Sequence, residues 1–200
     1  IGIITFPILI LIYLINPIIL IRFKNAPSSR IGHLVTEIEY YLCKKKLEKN
    51  KKKFPIIVDL FYFDSIVNTQ LVKMCKRHLI SLPSLILFPL HKTHKFLSAY
   101  FKFLSKHSIF LGYHRDVFHY HKILPTQLSF TKQELLMGAK EIEKKFGVKK
   151  KSKFACVTIR DSDYLKKEFP SKNFSYHDYR NTDLKKFIPA IKLMAKNEYI

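Results

Sequence analysis

Two polar clusters in the last quarter of the chain carry the residue types that chemistry on phosphates requires. The first, Arg160-Asp161-Ser162-Asp163-Tyr164, follows directly on the apolar run Phe154–Ile159. The second, His177-Asp178-Tyr179-Arg180-Asn181, begins seventeen residues after Arg160. Phe154–Ile159 reads as a short buried strand, and open α/β sheets take their ligands at the carboxyl ends of strands. An arginine placed there offers a rigid fork of donors suited to phosphate oxygens. Ser162 and Tyr164 add hydroxyl donors, and Asp161 can fix the guanidinium. Such a set suits a diphosphate leaving group, whose charge must be met by preorganised donors where no metal supplies them. A surface Arg–Asp pair closing a turn fits the same residues, and that reading stays open. In the second cluster Arg180 offers another phosphate or sugar ligand on a lid or acceptor-contacting loop. A plain helix-entry loop capped by Asn181 or Asp183 fits those five residues as well.

A third element, Ser28-Ser29-Arg30-Ile31-Gly32-His33-Leu34, lies near the start of the chain. Serine is a favoured N-cap, glycine lets backbone approach a ligand closely, and the start of a helix is electropositive. His33 is placed to orient an acceptor or to act as general base, because an imidazole near neutrality can take a hydroxyl proton. A tight turn and a cap account for the same residues without any ligand.

A strand followed by Arg160-Asp161-Ser162-x-Tyr164, with His177-Asp178-Tyr179-Arg180-Asn181 downstream, resembles a family of bacterial glycosyltransferases of surface-polysaccharide synthesis. Arg30–Leu34 is similar to the first βα loop of the N-terminal domain in GT-B glycosyltransferases. The resemblance runs from about Arg22 to Tyr199. It implies a GT-B-like transferase in which two Rossmann-like domains face a cleft. A nucleotide-sugar donor would supply the sugar, and a lipid-linked or polysaccharide glycan would accept it. His33 would be catalytic; Arg160, Asp161, Ser162, Tyr164 and Arg180 would hold the donor phosphate and sugar. Arg30, Gly32, His177, Asp178 and Asn181 would line the acceptor side of the cleft. No cofactor and no metal are implied; Asp161-Ser162-Asp163 has the spacing of a metal-binding pair in GT-A enzymes, but its place beside Arg160 favours phosphate.

The elements that must position these residues alternate in type. Residues 3–21 are uncharged and nearly all apolar, interrupted by Pro7 and Asn16-Pro17. They read as a membrane span or anchor over Ile1–Ile15 followed by a strand Ile18–Phe23, since about 20 apolar residues cross a bilayer and Asn-Pro marks a turn. A single span to Ile21 and a core hairpin are the alternatives. Ile31, Leu34, Val35, Ile38 and Leu42 recur at helical spacing, and the helix gives way to a lysine-rich linker, Lys44–Lys53. A strand Ile56–Phe63 ends at Asp64, and a helix capped by Asn68 reaches Leu79. Beyond Pro83 and Pro89 a helix spans His94–Leu104, and His107–His121 reads as loop and short helix. Thr131-Lys132-Gln133-Glu134 has the form of a capping box, opening a helix that ends at Gly147. After Lys149–Lys153 come the strand Phe154–Ile159 and a helix Ile188–Lys196 with Pro189 in its first turn. Tyr199-Ile200 reads as the opening of a further strand. This pattern predicts an α/β fold with mainly parallel strands. The expected organisation is a hydrophobic segment 1–17, a Rossmann-like domain 18–148, and the start of a second α/β domain, 149–200. The first residue is Ile1 rather than Met, and the chain is expected to be a fragment, inactive alone.

Charge and cysteine content bound the rest. The chain has 36 Lys and Arg against 15 Asp and Glu, a formal net charge of +21. Such an excess suits a phosphate-bearing substrate, anionic lipid or nucleic acid, and a lysine-rich composition without tryptophan also fits an AT-biased genome. No aromatic RNA-binding motif is present, and nucleic acid is not the expected partner; a tethered nucleic-acid-binding module or a non-catalytic envelope scaffold is the alternative function. The basic flank Arg22, Lys24, Arg30 and Lys44–Lys46 predicts a domain on the cytoplasmic side of a membrane that residues 1–17 contact. Three widely spaced cysteines exclude a disulfide framework, and Cys156 reads as a small core residue. His91, His94, His107, His114, His119 and His121 lack acidic or cysteine partners at metal-ligand spacing.

Overall fold

The computed structural model describes residues 2–48, 55–111, 119–149 and 151–200. They divide into two compact units, Ile1–Phe130 and Thr131–Ile200. The division precedes the basic linker Lys149–Lys153, so the helix opened by the capping box belongs to the second unit.

The first unit is built on a three-stranded parallel sheet of order β1-β2-β3. Its elements run α1 (Gly2–Leu14), β1 (Ile19–Ala26), α2 (Ile31–Glu48), β2 (Ile56–Phe63), α3 (Thr69–Lys76), β3 (Ile80–Ser81) and α4 (Ser84–Tyr100). A 3₁₀ segment Lys102–His107 and α5 (Tyr120–Ile123) complete it. β1 and β2 pair over their full length, from Ile19 opposite Ile56 to Ala26 opposite Phe63. Because strand side chains alternate between faces, the two strands divide cleanly. Ala26, Phe61 and Phe63 point to a core with Leu34, Ile38 and Tyr41 of α2 and Leu71, Val72 and Cys75 of α3. Phe23 and Tyr62 point to a second core with Leu9 and Ile12 of α1 and Leu87 and Leu90 of α4. Helices thus cover both faces of a parallel sheet, the α/β arrangement expected.

Polar groups bind these layers. Arg22 and Asp59 stand opposite each other in the β1–β2 register. The guanidinium donates twice to the carboxylate, Nε to Oδ1 at 2.6 Å and Nη2 to Oδ2 at 2.8 Å. Tyr41 Oη from α2 donates to Asp59 Oδ2 at 2.6 Å. Burial and the adjacent carboxylate push the Tyr41 phenol far above its usual range. Glu39, also buried, accepts from the backbone N–H groups of Gln127 (2.5 Å) and Leu128 (2.9 Å), holding that loop against α2.

Helix α1 is described over Gly2–Leu14. Among the described residues no helix is long and apolar enough to cross a membrane. Other expectations are corrected. The expected linker begins late, because α2 continues through Lys44–Lys46 to Glu48; Lys51–Lys53 lie outside the described residues. The expected helix His94–Leu104 starts ten residues earlier at Ser84, runs through Pro89 and gives way to the 3₁₀ segment. Ser28 does not cap α2; its hydroxyl bonds the backbone of Asp64 instead, donating to the carbonyl and accepting from the N–H.

The second unit is helical: α6 (Lys132–Phe146), α7 (Asp163–Glu168), 3₁₀ turns Ser175–Arg180 and Leu184–Phe187, and α8 (Ile188–Lys196). The capping box forms as expected, with Thr131 Oγ1 accepting from Glu134 N and Glu134 Oε2 from Thr131 N. Gly147 ends α6 at φ +68, where glycine escapes the Cβ penalty. The strand expected at Phe154–Ile159 does not form. Residues 152–160 are irregular backbone joined to Ile200 by two bonds, Ile200 N to Lys153 O and Ala155 N to Ile200 O. These have the pattern of a single step of parallel pairing, and without a longer partner the apolar side chains stay exposed. Cys156 is therefore exposed rather than in a core. No described residue of this unit is buried.

Candidate functional site

The loops at the carboxyl edge of the parallel sheet bring several chemistry-bearing residues of the first unit onto consecutive turns. β1 ends at Ala26, and Pro27–Arg30 lead directly into α2. Leu34 N bonds Arg30 O at 3.0 Å, so Arg30 is the last residue before the helix and Gly32 and His33 occupy its first turn. A Cβ on Gly32 would meet nothing within 4 Å; no neighbour compels glycine there, and the position lies open. His33 Nδ1 lies 3.3 Å from Glu37 Oε1, one turn along α2. A carboxylate only accepts, so Nδ1 is the donor in this contact.

Three further features of this edge were not singled out from the sequence. Ser28 ties the β1–α2 loop to Asp64 at the end of β2. Ser65, next in the chain, is held at φ 50, a left-handed conformation that costs a non-glycine residue of order 1 kcal/mol. Asn25 Oδ1, at the end of β1, and Gln70 Nε2, in the first turn of α3, are buried atoms with no hydrogen-bond partner among the described residues. The one signal in the sequence was position: polar residues at the ends of two apolar runs.

The second unit joins the two polar clusters. Thr182 N donates to Arg160 O at 3.1 Å, which seats the residue after the second cluster against the first. Arg160 is half-buried, and its Nη1 is buried without a partner among the described residues. Asp161 does not pair with it: Asp161 Oδ1 accepts from Asp163 N at 3.0 Å, closing the turn into α7. Ser162 precedes α7 without a side-chain cap, and Tyr164 on its first turn is exposed. His177, Asp178 and Arg180 lie on the 3₁₀ turn, with Tyr176 and His177 rings 4.0 Å apart. Asn181 Nδ2 donates to Asp178 Oδ1 at 2.9 Å, while its buried Oδ1 has no partner among the described residues. Capping of the next turn falls to Asp183, which accepts from Lys185 N. Arg30, Gly32 and His33 thus sit in one unit and Arg160 to Asn181 in the other.

The chain matches no family model, no curated protein and no solved structure.

Two other constellations belong to the first unit. A cleft of about 790 Å³, lined by Arg22, Lys45, Asp59, His78 and Gln127 among others, opens where β2 begins. It lies at the amino edge of the strands, opposite to the edge that carries His33, and its arginine is already committed to Asp59. Below the other face of the sheet, His94 and His107 are buried and His91 is partly buried. His94 Nδ1 meets Tyr13 Oη at 2.9 Å and its Nε2 meets Ser108 Oγ at 3.0 Å. His107 Nδ1 donates to Ile21 O at 2.6 Å, and His91 Nδ1 meets Tyr62 Oη at 3.0 Å. Burial pulls His91 and His94 down to about 4, and lowers His107 as well. The same burial pushes Tyr13 up to about 12. These imidazoles are neutral at pH 7 and fasten α1, β1 and α4 together. Among the described residues no three His, Cys, Asp or Glu side chains converge on a metal position; His114 lies outside them.

Proposed function

We propose that this chain is part of a glycosyltransferase that moves a sugar from a nucleotide-sugar donor to a lipid-linked or surface glycan. In this reading the first unit is the Rossmann-like acceptor-side domain of a GT-B enzyme, and the second carries donor-side residues. The membrane is contacted by the apolar N-terminal region from the cytoplasmic side. The observation that carries the reading is Arg160: a half-buried guanidinium with Nη1 unpartnered among the described residues, on backbone tied to Thr182, the residue after His177–Asn181.

This reading gives each residue a role. His33 takes the proton of the acceptor hydroxyl as that oxygen bonds to the anomeric carbon, and Glu37 steadies the imidazolium that forms. The bond from the anomeric carbon to the diphosphate oxygen breaks, and the diphosphate leaves with the electron pair. Arg160 and Arg180 meet its charge, with Ser162 and Tyr164 supplying hydroxyl donors. Asp161 and Asp178 act on position, the first through the α7 turn and the second through Asn181.

Ligand-observed NMR with a panel of nucleoside diphosphates and their sugar conjugates tests this. Binding should be saturable and lost in Arg160→Ala. A non-catalytic scaffold would bind none of them and would tolerate Arg160→Ala. A nucleic-acid-binding module would bind every polyanion with a steep dependence on salt.

A further inference from the structure

The first unit carries an apolar surface that no described element of that unit covers. On α1, Leu9 and Ile12 are buried, but the outward face is Phe6, Ile8, Ile10, Leu11 and Leu14, all at least two-fifths exposed. A polar residue would be expected on that face of a helix at a protein–water boundary, and none is there. This face is continuous with the end of α4 and the 3₁₀ segment after it. Phe6, Ile10, Phe101 and Phe103 line one groove of about 240 Å³, closed at its floor by Leu9, Leu97 and Leu104. Phe103 is 68 % exposed, and the Phe96 and Tyr100 rings near the end of α4 lie 5.1 Å apart, tilted against each other. A contiguous apolar surface of this kind marks an interaction site.

Charge identifies the occupant. The sequence holds no Asp or Glu from Ile1 to Thr36, and none from Ser65 to Arg115. The elements that build the face, α1, α4 and the 3₁₀ segment, therefore have no carboxylate. Lys92, Lys95, Lys102 and Lys106, all exposed, are interleaved along the chain with the exposed Phe96, Tyr100, Phe101 and Phe103. Exposed aromatic and aliphatic side chains on elements that carry lysine and no acidic residue complement an anionic bilayer: apolar groups enter the acyl boundary and ammonium groups meet the headgroups. In this arrangement the described turns of α1, Gly2–Leu14, lie in the membrane plane.

We infer that α1, the end of α4 and the Lys102–His107 segment form one monotopic docking face for an anionic lipid surface. This gives the membrane contact of the proposed transferase a surface and a mode, but it does not depend on Arg160 or on sugar transfer.

Flotation of the whole chain with vesicles of phosphatidylcholine alone, or of phosphatidylcholine with phosphatidylglycerol, tests it. The wild type should float with the anionic vesicles and far less with the neutral ones. Phe101→Ser with Phe103→Ser should lower that partition about tenfold or more. Lys102→Glu with Lys106→Glu should abolish the preference for anionic lipid, each lysine contributing about fivefold. The same charge change at Lys44 and Lys45, on the other side of the sheet, is the control for bulk charge. Equal losses in the control pair, or phenylalanine variants that float like the wild type, would overturn the inference. So would a dimer in sedimentation velocity without lipid that Phe101→Ser with Phe103→Ser dissolves, because the face would then belong to a second copy. Nucleotide binding by Arg160 is unaffected by any of these variants, so failure here and failure of the transferase reading are separable.

Discussion

Mild acid should unfold the first unit through its buried imidazoles, and His94 sets the scale. The ring is wholly inaccessible, and both its nitrogens are within hydrogen-bond distance of Tyr13 and Ser108. Burial, reinforced by the neighbouring His107 and His91, lowers it from 6.5 to about 4. The unfolded imidazole therefore takes a proton near pH 6.5, and the folded one only near pH 4. Between those values the unfolded chain holds more protons, so stability is intact above pH 6.5 and falls as pH drops toward 4. Going from pH 7.5 to pH 5, His94 alone removes about 2 kcal/mol. His91, lowered to about 4 but partly exposed, adds less because solvent screens it. The assay is urea unfolding at several pH values, followed by tyrosine near-UV circular dichroism. That signal reports the first unit, since Tyr40, Tyr41 and Tyr62 are buried there while Tyr164, Tyr176, Tyr179 and Tyr199 are exposed. His94→Asn should be less stable at pH 7.5 and show a flatter fall toward pH 5. An identical pH slope in wild type and variant would refute the reasoning.

Other outcomes follow from single contacts. Asp59→Ala should cost about 3 kcal/mol in the same urea assay, because it strands a partly buried Arg22 and the Tyr41 hydroxyl. Thr131→Ala should weaken the start of α6 by about 1 kcal/mol, read as faster amide exchange in the first turn of that helix and unchanged exchange in α2. In the active protein, His33→Asn should lower kcat by about a hundredfold or more with little change in donor affinity, and Glu37→Gln should lower it by a smaller factor.

The fold was legible wherever a local rule acts alone. The strand Ile56–Phe63, the Asn68 cap, the Thr131 box, the Gly147 stop and the helix Ile188–Lys196 each rest on period, cap or terminator chemistry within a few residues. The errors arose where distant parts decide. Ser28 has the residue type of a cap, yet it serves Asp64, 36 residues away in the neighbouring strand. Pro83 and Pro89 suggested a break, but Pro89 is accommodated one and a half turns into α4. The lysines at 44–46 suggested a linker, though helical propensity and a free outward face let α2 carry them. Phe154–Ile159 has the composition of a strand and lacks one of its conditions, a continuous partner among the described residues. At the candidate site, the residue types of Arg30–His33 and Arg160–Asn181 were visible in the sequence. Their connections were not: the Glu37 carboxylate on His33, the Asp161 side chain spent on its own turn, and the bond from Thr182 to Arg160 all depend on folded geometry.

The direct measurement is calorimetric titration of the chain and of Arg160→Ala with the nucleoside diphosphate selected by NMR, with urea unfolding run on both. Truncation removes no side-chain bond seen in the structure and leaves the Thr182–Arg160 backbone bond in place, so stability should change by less than about 0.5 kcal/mol. Affinity should fall by about 1.5–3 kcal/mol, roughly ten- to a hundredfold. Equal affinity in both proteins, or an Arg160→Ala chain that unfolds before it can be titrated, would contradict a guanidinium held ready for a departing diphosphate.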